Sequence, residues 1–153
     1  GIDSAIEVDV QALLDEKRRD TLITDVGAAA DAALRAGHDT VIYTSRQLAH
    51  ADAADVSLQI GQRISAGLIA IAQGIETRPR YLLVKGGITS SDIATSAMGM
   101  RRARVLGQLL PGVPVWQMGD EGRFPGLAYV VFPGNVGDDD ALVVSRKILS
   151  GKA

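Results

Sequence analysis

The segment Lys85–Asp92 carries the residues best suited to binding a phosphate group. It reads Lys-Gly-Gly-Ile-Thr-Ser-Ser-Asp and directly follows the apolar run Tyr-Leu-Leu-Val at 81–84. The adjacent glycines Gly86 and Gly87 lack the Cβ atoms that would keep a ligand away from the backbone, and they tolerate positive φ, so successive N–H groups can converge on an anion. Lys85 adds a positive charge. The hydroxyl groups that could bind a phosphate, or cap a following helix, belong to Thr89, Ser90 and Ser91.

The same residues also fit a turn that leads into an ordinary helix. In that interpretation Lys85 is a surface lysine at the end of a strand. Asp92 is open to two interpretations as well. It could bind magnesium through water, since that ion keeps several waters and takes one or two carboxylates, or it could be a first-turn acid stabilised by the helix dipole.

A second glycine loop, at 132–138, repeats this order of an apolar strand, a glycine turn and an acidic helix start. Gly134 and Gly137 would allow a ligand close to the backbone, and Asn135 offers an amide side chain to a base, ribose or phosphate. The two loops could therefore face one ligand. Alternatively, Gly134-Asn135 forms a type II or similar turn and Asp138 is an ordinary helix cap. The acidic run 138–140 is more typical of a helix start than of a metal site, so we predict no metal-ligating residues.

The elements that would position the first loop form an alternating pattern of strands and helices. We predict a strand ending at Val10 and a helix that stops at Gly37, and we expect Asp52 to cap the longest helix. Strand 40–43, that helix and strand 80–84 then make a right-handed βαβ unit with parallel strands. The predicted elements of this half are the strand Ile6–Val10, the helix Thr21–Ala36, the strand Thr40–Tyr43, the helix Ala53–Gly74 and the strand Arg80–Val84.

The second half of the chain is predicted to be more antiparallel. Its short strands are separated by the turn dipeptides Pro-Gly and Gly-Asp at hairpin-like spacing. The expected fold class is therefore α/β, a three-layer Rossmann-like domain with a mixed sheet whose first half is parallel. The predicted elements here are the helix Asp92–Met100, the strands Arg104–Leu109, Val113–Met118 and Leu127–Phe132, and the helix Asp138–Leu149, which turns Leu142, Val143, Ile148 and Leu149 inward.

Composition narrows the function classes. A chain of 153 residues with 46% apolar residues suits a single domain over 1–153. The net charge of −2 and scattered basic residues argue against a nucleic-acid partner. There is no cysteine, and the two histidines are too few and too poorly placed for a zinc centre. The lack of cysteine indicates a cytoplasmic protein. No apolar run reaches the roughly 18 residues of a membrane span, so we expect no membrane partner.

Common nucleotide signatures do not account for the glycine loops. Gly107 and Gly112 have the spacing of a P-loop, but Val113 and Pro114 occupy the positions of its lysine and hydroxyl residue. No Gly-x-Gly-x-x-Gly sequence follows a strand, which argues against a dinucleotide-dependent oxidoreductase. The motifs of protein kinases are also missing.

Three ordered motifs give the chain a resemblance to a known family. They are Val-Lys-Gly-Gly-Ile-Thr-Ser at 84–90, Gly-Gln-Leu-Leu-Pro-Gly-Val-Pro at 107–114 and Phe-Pro-Gly-Asn-Val-Gly at 132–137. Together they resemble the nucleotide-binding C-terminal domain of the four-carbon acid sugar kinase family, over most of the chain. Members of that family use ATP to phosphorylate tetronate-type acids such as threonate, erythronate or their 3-oxo forms.

The resemblance implies a kinase with ATP and Mg²⁺ as cofactors and a small sugar acid as substrate. By position, the ATP-contacting loop of the family falls on Gly86, Gly87, Ile88 and Thr89, and its later glycine contact falls on Gly134. With the neighbours that the residue types add, the expected nucleotide-binding set is Lys85, Gly86, Gly87, Ile88, Thr89, Ser90, Gly134 and Asn135.

The resemblance also implies that this chain is one part of a larger enzyme. The chain opens with Gly-Ile-Asp, not methionine, and a strand pattern begins at once. In the family a larger N-terminal domain supplies most of the acid-sugar site, so we expect the catalytic base there and an inactive isolated chain. No catalytic residue is assigned here. A homo-oligomer is one expected assembly, and the alternative function is a non-enzymatic module that senses a nucleotide or mediates an interaction.

Overall fold

A computed structural model describes residues 2–46 and 54–151. The chain divides into two compact units, Gly1–Arg78 and Pro79–Ala153. Each unit has secondary structure and a cluster of buried apolar side chains of its own. The prediction of a single domain over 1–153 stays a prediction.

The first unit contains a two-stranded parallel sheet and three helices. Strand β1 (Ser4–Val8) pairs with β2 (Thr40–Thr44) in the register Ser4↔Thr40 to Val8↔Thr44. Helices α1 (Val10–Leu14) and α2 (Arg19–Arg35) connect these strands, and α3 (Ala54–Gly74) follows β2. The chain turns from β1 into α1 because the Asp9 carboxylate accepts hydrogen bonds from the amides of Gln11 and Ala12.

The core of the first unit brings the three helices close together. Its fully packed side chains include Leu13 of α1, Val26 of α2 and Ile71 of α3. The approach of α1 to α3 requires a glycine, because a Cβ atom at Gly67 would lie 2.5 Å from Cδ1 of Leu13. Leu13 is fully buried, so its side chain has little room to yield.

The second unit is built on a four-stranded mixed sheet. Its strands are β3 (Tyr81–Lys85), β4 (Ala103–Leu110), β5 (Val113–Met118) and β6 (Ala128–Phe132), and their order across the sheet is β3-β6-β5-β4. β3 and β6 are parallel, and the β6–β5 and β5–β4 pairs are antiparallel. Helix α4 (Gly87–Asp92) continues into a π-helical segment (Ile93–Ala97), and α5 (Ala141–Ser150) closes the described chain.

The predicted α/β class with a mixed sheet is confirmed, whereas the predicted βαβ unit is wrong. β2 pairs with β1, and β3 pairs with β6, a strand that lies more than forty residues further along the chain. Sequence order alone does not identify strand partners, and the parallel partner of β3 follows an antiparallel hairpin. The expected Asp52 cap lies outside the described residues.

Several predicted boundaries change for identifiable local reasons. The first strand ends at Val8 because Asp9 starts the short helix α1, which the periodicity did not indicate. The helix predicted at 92–100 begins earlier, at Gly87, and widens into a π-helix from Ile93. The last helix begins at Ala141, three residues later than predicted.

The inward face predicted for the last helix is largely wrong. Leu142, Val143 and Ile148 are 44%, 50% and 48% exposed. Two small residues one turn apart, Ala141 and Ser145, are buried instead, and the Ser145 hydroxyl donates to the Ala141 carbonyl at 2.7 Å. Small side chains let the helix approach its neighbours, so the larger apolar residues remain outside.

Asp31 is a buried carboxylate that joins α2 to the segment after α3. Its Oδ1 accepts hydrogen bonds from the amides of Thr77 at 2.6 Å and Glu76 at 2.9 Å, and its Oδ2 pairs with Arg35. The hydrogen bond from the Thr77 amide contributes most to lowering the pKa of Asp31 to about 2, and burial opposes the shift. The sequence showed only an Asp and an Arg four residues apart on a helix.

We predict that Asp31→Asn destabilises the protein more than Asp25→Asn, an exposed change on the same helix. The ionised Asp31 contributes stability above its unfolded pKa of about 4, and this contribution is lost as the pH falls towards the folded value of about 2. The thermal midpoint measured between pH 7 and pH 2 should therefore fall more steeply below pH 4 for the parent than for Asp31→Asn. Parallel curves for the two proteins would contradict this role.

Candidate functional site

The two glycine loops lie side by side because they follow neighbouring parallel strands. The register aligns Lys85 at the end of β3 with Phe132 at the end of β6. The amide of Gly86 then donates to the Phe132 carbonyl at 2.7 Å, which extends the ladder by one bond. The structure thus brings together the two segments that the sequence analysis expected to face one ligand.

Lys85 connects the loops directly. Its Nζ lies 3.4 Å from the Pro133 carbonyl and 3.3 Å from the Gly134 carbonyl, and it sits 4.6 Å from the centre of the Phe132 ring. The ammonium group therefore holds the second loop in place. The side chain is still exposed, so its positive charge remains next to the space that both loops border.

The adjacent glycines of the first loop have different physical reasons to be glycine. Gly86 has φ of +102°, a conformation that L side chains rarely adopt. Gly87 has no positive φ, and a Cβ atom added there would meet nothing within 4 Å. The backbone conformation therefore requires glycine at position 86. At position 87 it does not, and the absence of a side chain leaves open space beside the backbone.

The first loop leads into α4 and leaves several backbone amides without a helical partner. The first hydrogen bond of α4 runs from the Ser90 amide to the Gly86 carbonyl at 2.8 Å. The amides of Gly87, Ile88 and Thr89 therefore have no partner within the helix. Among the described residues the Thr89 hydroxyl also has no hydrogen-bond partner, and Ile88 is 81% exposed. The loop presents amide donors, a hydroxyl and an apolar side chain on its outer face.

The structure gives Ser90 a different role from the predicted ligand contact. The Ser90 side chain is buried, and its hydroxyl donates to the Val84 carbonyl at 2.8 Å. The Tyr129 hydroxyl donates in turn to the Ser90 carbonyl at 2.7 Å, and burial raises the pKa of Tyr129. Ser90 thus pins α4 to β3 and β6 instead of facing a phosphate. Sequence reasoning missed Tyr129, because the alternation of a strand does not show which hydroxyl will reach a helix carbonyl.

The second loop forms an ordinary turn with one open glycine. The Val136 amide donates to the Pro133 carbonyl at 3.4 Å, and neither Gly134 nor Asn135 has positive φ. The turn expected at Gly134-Asn135 is therefore present, and it is of a similar kind and not type II, which needs a positive φ. A Cβ atom at Gly134 would meet nothing within 4 Å, and Asn135 is exposed. Gly137 differs, because its φ is +86° and a Cβ atom there would lie 2.5 Å from Cβ of Ala141.

The described residues form no cluster of three or more His, Cys, Asp or Glu side chains that could hold a metal ion. In those same parts of the chain, no helix combines the length and apolar character that a membrane crossing requires.

Comparison with protein families gives one match that covers nearly the whole chain. Residues 2–142 match the model of the family described as nucleotide-binding C-terminal domain. No curated protein matches the chain.

Solved structures of low sequence identity share the fold. A domain of unknown function (DUF1537) from Bordetella bronchiseptica, solved with bound citrate as a domain-swapped dimer, is 17% identical with a TM-score of 0.67. The DUF1537 protein HI1011 of Haemophilus influenzae is 18% identical with a TM-score of 0.65. A Salmonella typhimurium LT2 protein proposed to be a tRNA synthase is 18% identical with a TM-score of 0.69. Each comparison covers 95% of this chain but only 35%, 34% and 35%, respectively, of the other, so the chain spans about a third of these relatives.

We predict that Ser90→Ala lowers the free energy of unfolding by about 1–3 kcal/mol, because the part-buried Val84 carbonyl loses its donor. The neighbouring change Ser91→Ala is the matched control, since Ser91 is exposed and should have little effect. Urea denaturation of the three proteins measures the difference. Equal stabilities for Ser90→Ala and Ser91→Ala would show that the Ser90 hydroxyl does not pin the helix.

Proposed function

The chain belongs to the family of nucleotide-binding C-terminal domains, and from this premise we propose that it is the ATP-binding part of a kinase for a four-carbon sugar acid. The observation that carries the proposal is the pair of open glycines, Gly87 and Gly134, on loops joined by the Gly86 amide and the Lys85 ammonium group. The fold has room for a Cβ atom at both positions, yet both residues are glycine. Both also lie at the same end of the sheet.

The phosphates of ATP would be bound by the first loop. The amides of Gly87, Ile88 and Thr89 are unused within the helix, and successive backbone N–H groups make a concave site for an anion. The Thr89 hydroxyl adds a donor, and Ile88 offers an apolar surface beside it. Gly134 and Asn135 approach from the second loop, where the open glycine allows close contact and the exposed amide can bind a base or ribose.

Phosphoryl transfer is helped mainly by positioning and by neutralisation of phosphate charge. Lys85 supports both requirements, because it fixes the second loop and keeps its charge at the surface. Ser90 contributes indirectly by holding α4 against the sheet. We propose that Mg²⁺ arrives bound to ATP, and we assign it no residue of this chain because no group of the described side chains is arranged to hold a metal ion.

The sugar-acid site belongs, in this proposal, to a part of the protein beyond the chain. The solved relatives are about three times as long as this chain. The motifs at 84–90, 107–114 and 132–137 resemble those of kinases acting on threonate, erythronate or 3-oxo-tetronates, and in that family the acceptor site lies in a separate N-terminal domain. We propose a cytoplasmic homo-oligomer in the native state, which the domain-swapped dimer of the Bordetella relative supports.

The activity is tested with the full-length protein, ATP, Mg²⁺ and a panel of threonate, erythronate and 3-oxo-tetronate. We expect ADP release that requires one of these acids, measured in a coupled assay, and no turnover by residues 1–153 alone. A full-length protein that binds ATP but phosphorylates none of the acids would favour the nucleotide-sensing alternative. Preferential binding of NAD would contradict the ATP site itself.

Gly87→Val tests the phosphate site within this chain. The added Cβ atom meets no protein atom within 4 Å, and the side chain extends into the open space beside the loop amides. We therefore expect calorimetry to show ATP affinity weaker by at least about tenfold, equivalent to 1.4 kcal/mol, with little change in the unfolding midpoint. Gly61→Val is the control, since Gly61 also has open space but lies on α3 of the other unit. Equal ATP affinity for the two variants would contradict the assignment.

A further inference from the structure

Two cavities meet at Glu121, on the side of the second unit that the nucleotide proposal leaves unused. One has a volume of about 810 Å³ and is lined by Thr95, Gly99, Met100, Arg101 and Glu121. The other has a volume of about 380 Å³ and includes Arg102, Arg104, Gln117, Asp120 and Glu121 in its lining. Both volumes lie in the range of small-molecule sites. We call the two cavities together the arginine cleft.

The arginine cleft lies at the opposite end of the strands from the glycine loops. Arg104 pairs with Gln117, Gln117 with Ala128, and Ala128 with Tyr81, the first residue of β3. The glycine loops follow the last residues of β3 and β6. A strand of five residues is about 16 Å long, so one small ligand cannot touch both sites.

Two arginines line the smaller cavity at the start of β4. Arg102 directly precedes β4 and Arg104 is its second residue. The Gln117 side chain lies opposite Arg104. Gly119 lies opposite Arg102, whose carbonyl accepts the Gly119 amide at 3.2 Å. Glycine is needed there, because a Cβ atom would lie 2.9 Å from the Arg102 carbonyl oxygen.

Glu121 holds the backbone of the cleft in place and also attracts the charge of Arg102. Its Oε1 accepts the amides of Arg101 at 3.1 Å and Arg102 at 2.7 Å. Backbone hydrogen bonds, from its own amide and then from these two, hold the pKa of Glu121 below its usual value. The carboxylate thus fixes the backbone from which Arg101 enters one cavity and Arg102 the other.

The arginines of the cleft make no ion pair within residues 2–46 and 54–151. Elsewhere in those ranges, Arg18 pairs with Asp9 and Arg35 pairs with Asp31. Three exposed arginines and two carboxylates, Asp120 and Glu121, line the cleft, so positive charge is in excess there. Guanidinium groups bind carboxylates and phosphates through paired N–H donors.

We propose that the arginine cleft is a second ligand site, which binds a small dianion through Arg102 and Arg104. The shared chemistry is that of oxyanions, supplied either by a dicarboxylate or by a phosphate compound. Gln117 would donate a further hydrogen bond beside Arg104. The site is independent of the nucleotide proposal, because it uses neither glycine loop.

The test is calorimetric titration of the protein at low salt with two probes, succinate and inorganic pyrophosphate. We expect one of them to bind the parent protein, and we expect Arg102→Ala with Arg104→Ala to weaken that binding at least about tenfold, as the loss of two charge-assisted contacts requires. The control is Lys17→Ala with Arg63→Ala, which removes two exposed charges from the first unit. Circular dichroism checks the fold, and the Arg102→Gln, Arg104→Gln pair repeats the test with longer side chains.

The choice of probes separates the sources of the anion. Succinate binding identifies a carboxylate ligand, and pyrophosphate binding identifies a phosphate ligand. Because pyrophosphate could also occupy the glycine loops, its titration is repeated with Gly87→Val, which should retain binding at the cleft. The proposal is overturned if neither probe binds the parent protein, or if the arginine pair and the control pair lose the same affinity.

Discussion

The parallel pairing of β3 with β6 is the constraint on which the candidate site depends. Strand register determines where each strand leaves the sheet, and here it places Lys85 directly beside Phe132. The next amide, of Gly86, continues the ladder into the loop, and Lys85 then reaches the carbonyls of the second loop. A shift of one residue would turn every side chain of β3 to the other face and separate the loops. The site is therefore a property of the pairing, and neither loop forms it alone.

The position of α4 is fixed by hydroxyl groups that never reach solvent. Ser90 binds the carbonyl of Val84, and Tyr129 binds the carbonyl of Ser90, so one helix residue is tied to both strands of the pair. A buried hydrogen bond is costly to leave unmade, which makes the orientation of the helix hard to change. The outer residues, Gly87 to Thr89, owe their orientation to this buried contact. Within this single turn, residues 87–89 face outward, and Ser90 holds the helix against the sheet.

The sequence predicted the elements better than it predicted their partners. Periodicity identified α3 and β5 closely, and glycines that follow a strand pointed to both loops, because these signals are local. Three features were not predictable in this way: the pairing of β3 with β6, the inward turn of Ser90 and the exposed face of α5. Each depends on a residue distant in sequence or on small side chains, Ala141 and Ser145, that set how closely the helix can pack. The hydroxyl of Ser90 and that of Thr89 look equivalent in the sequence, and only the helix start at Gly87 decides which one faces outward.

The two ends of the four-stranded sheet carry different kinds of anion chemistry. At the ends of β3 and β6, the donors are backbone amides, whose positions are set by the fold and which allow the ligand to approach closely where glycine removes the Cβ atom. At the start of β4, the donors are guanidinium groups on long side chains, which carry full charge but must be ordered when they bind. Amides fixed by the fold lose little entropy on binding, so they suit a group that must be held in one place, as a transferred phosphate must. Flexible guanidinium groups suit a site where attraction matters more than placement, which argues that the arginine cleft binds a ligand and does not carry out chemistry on it.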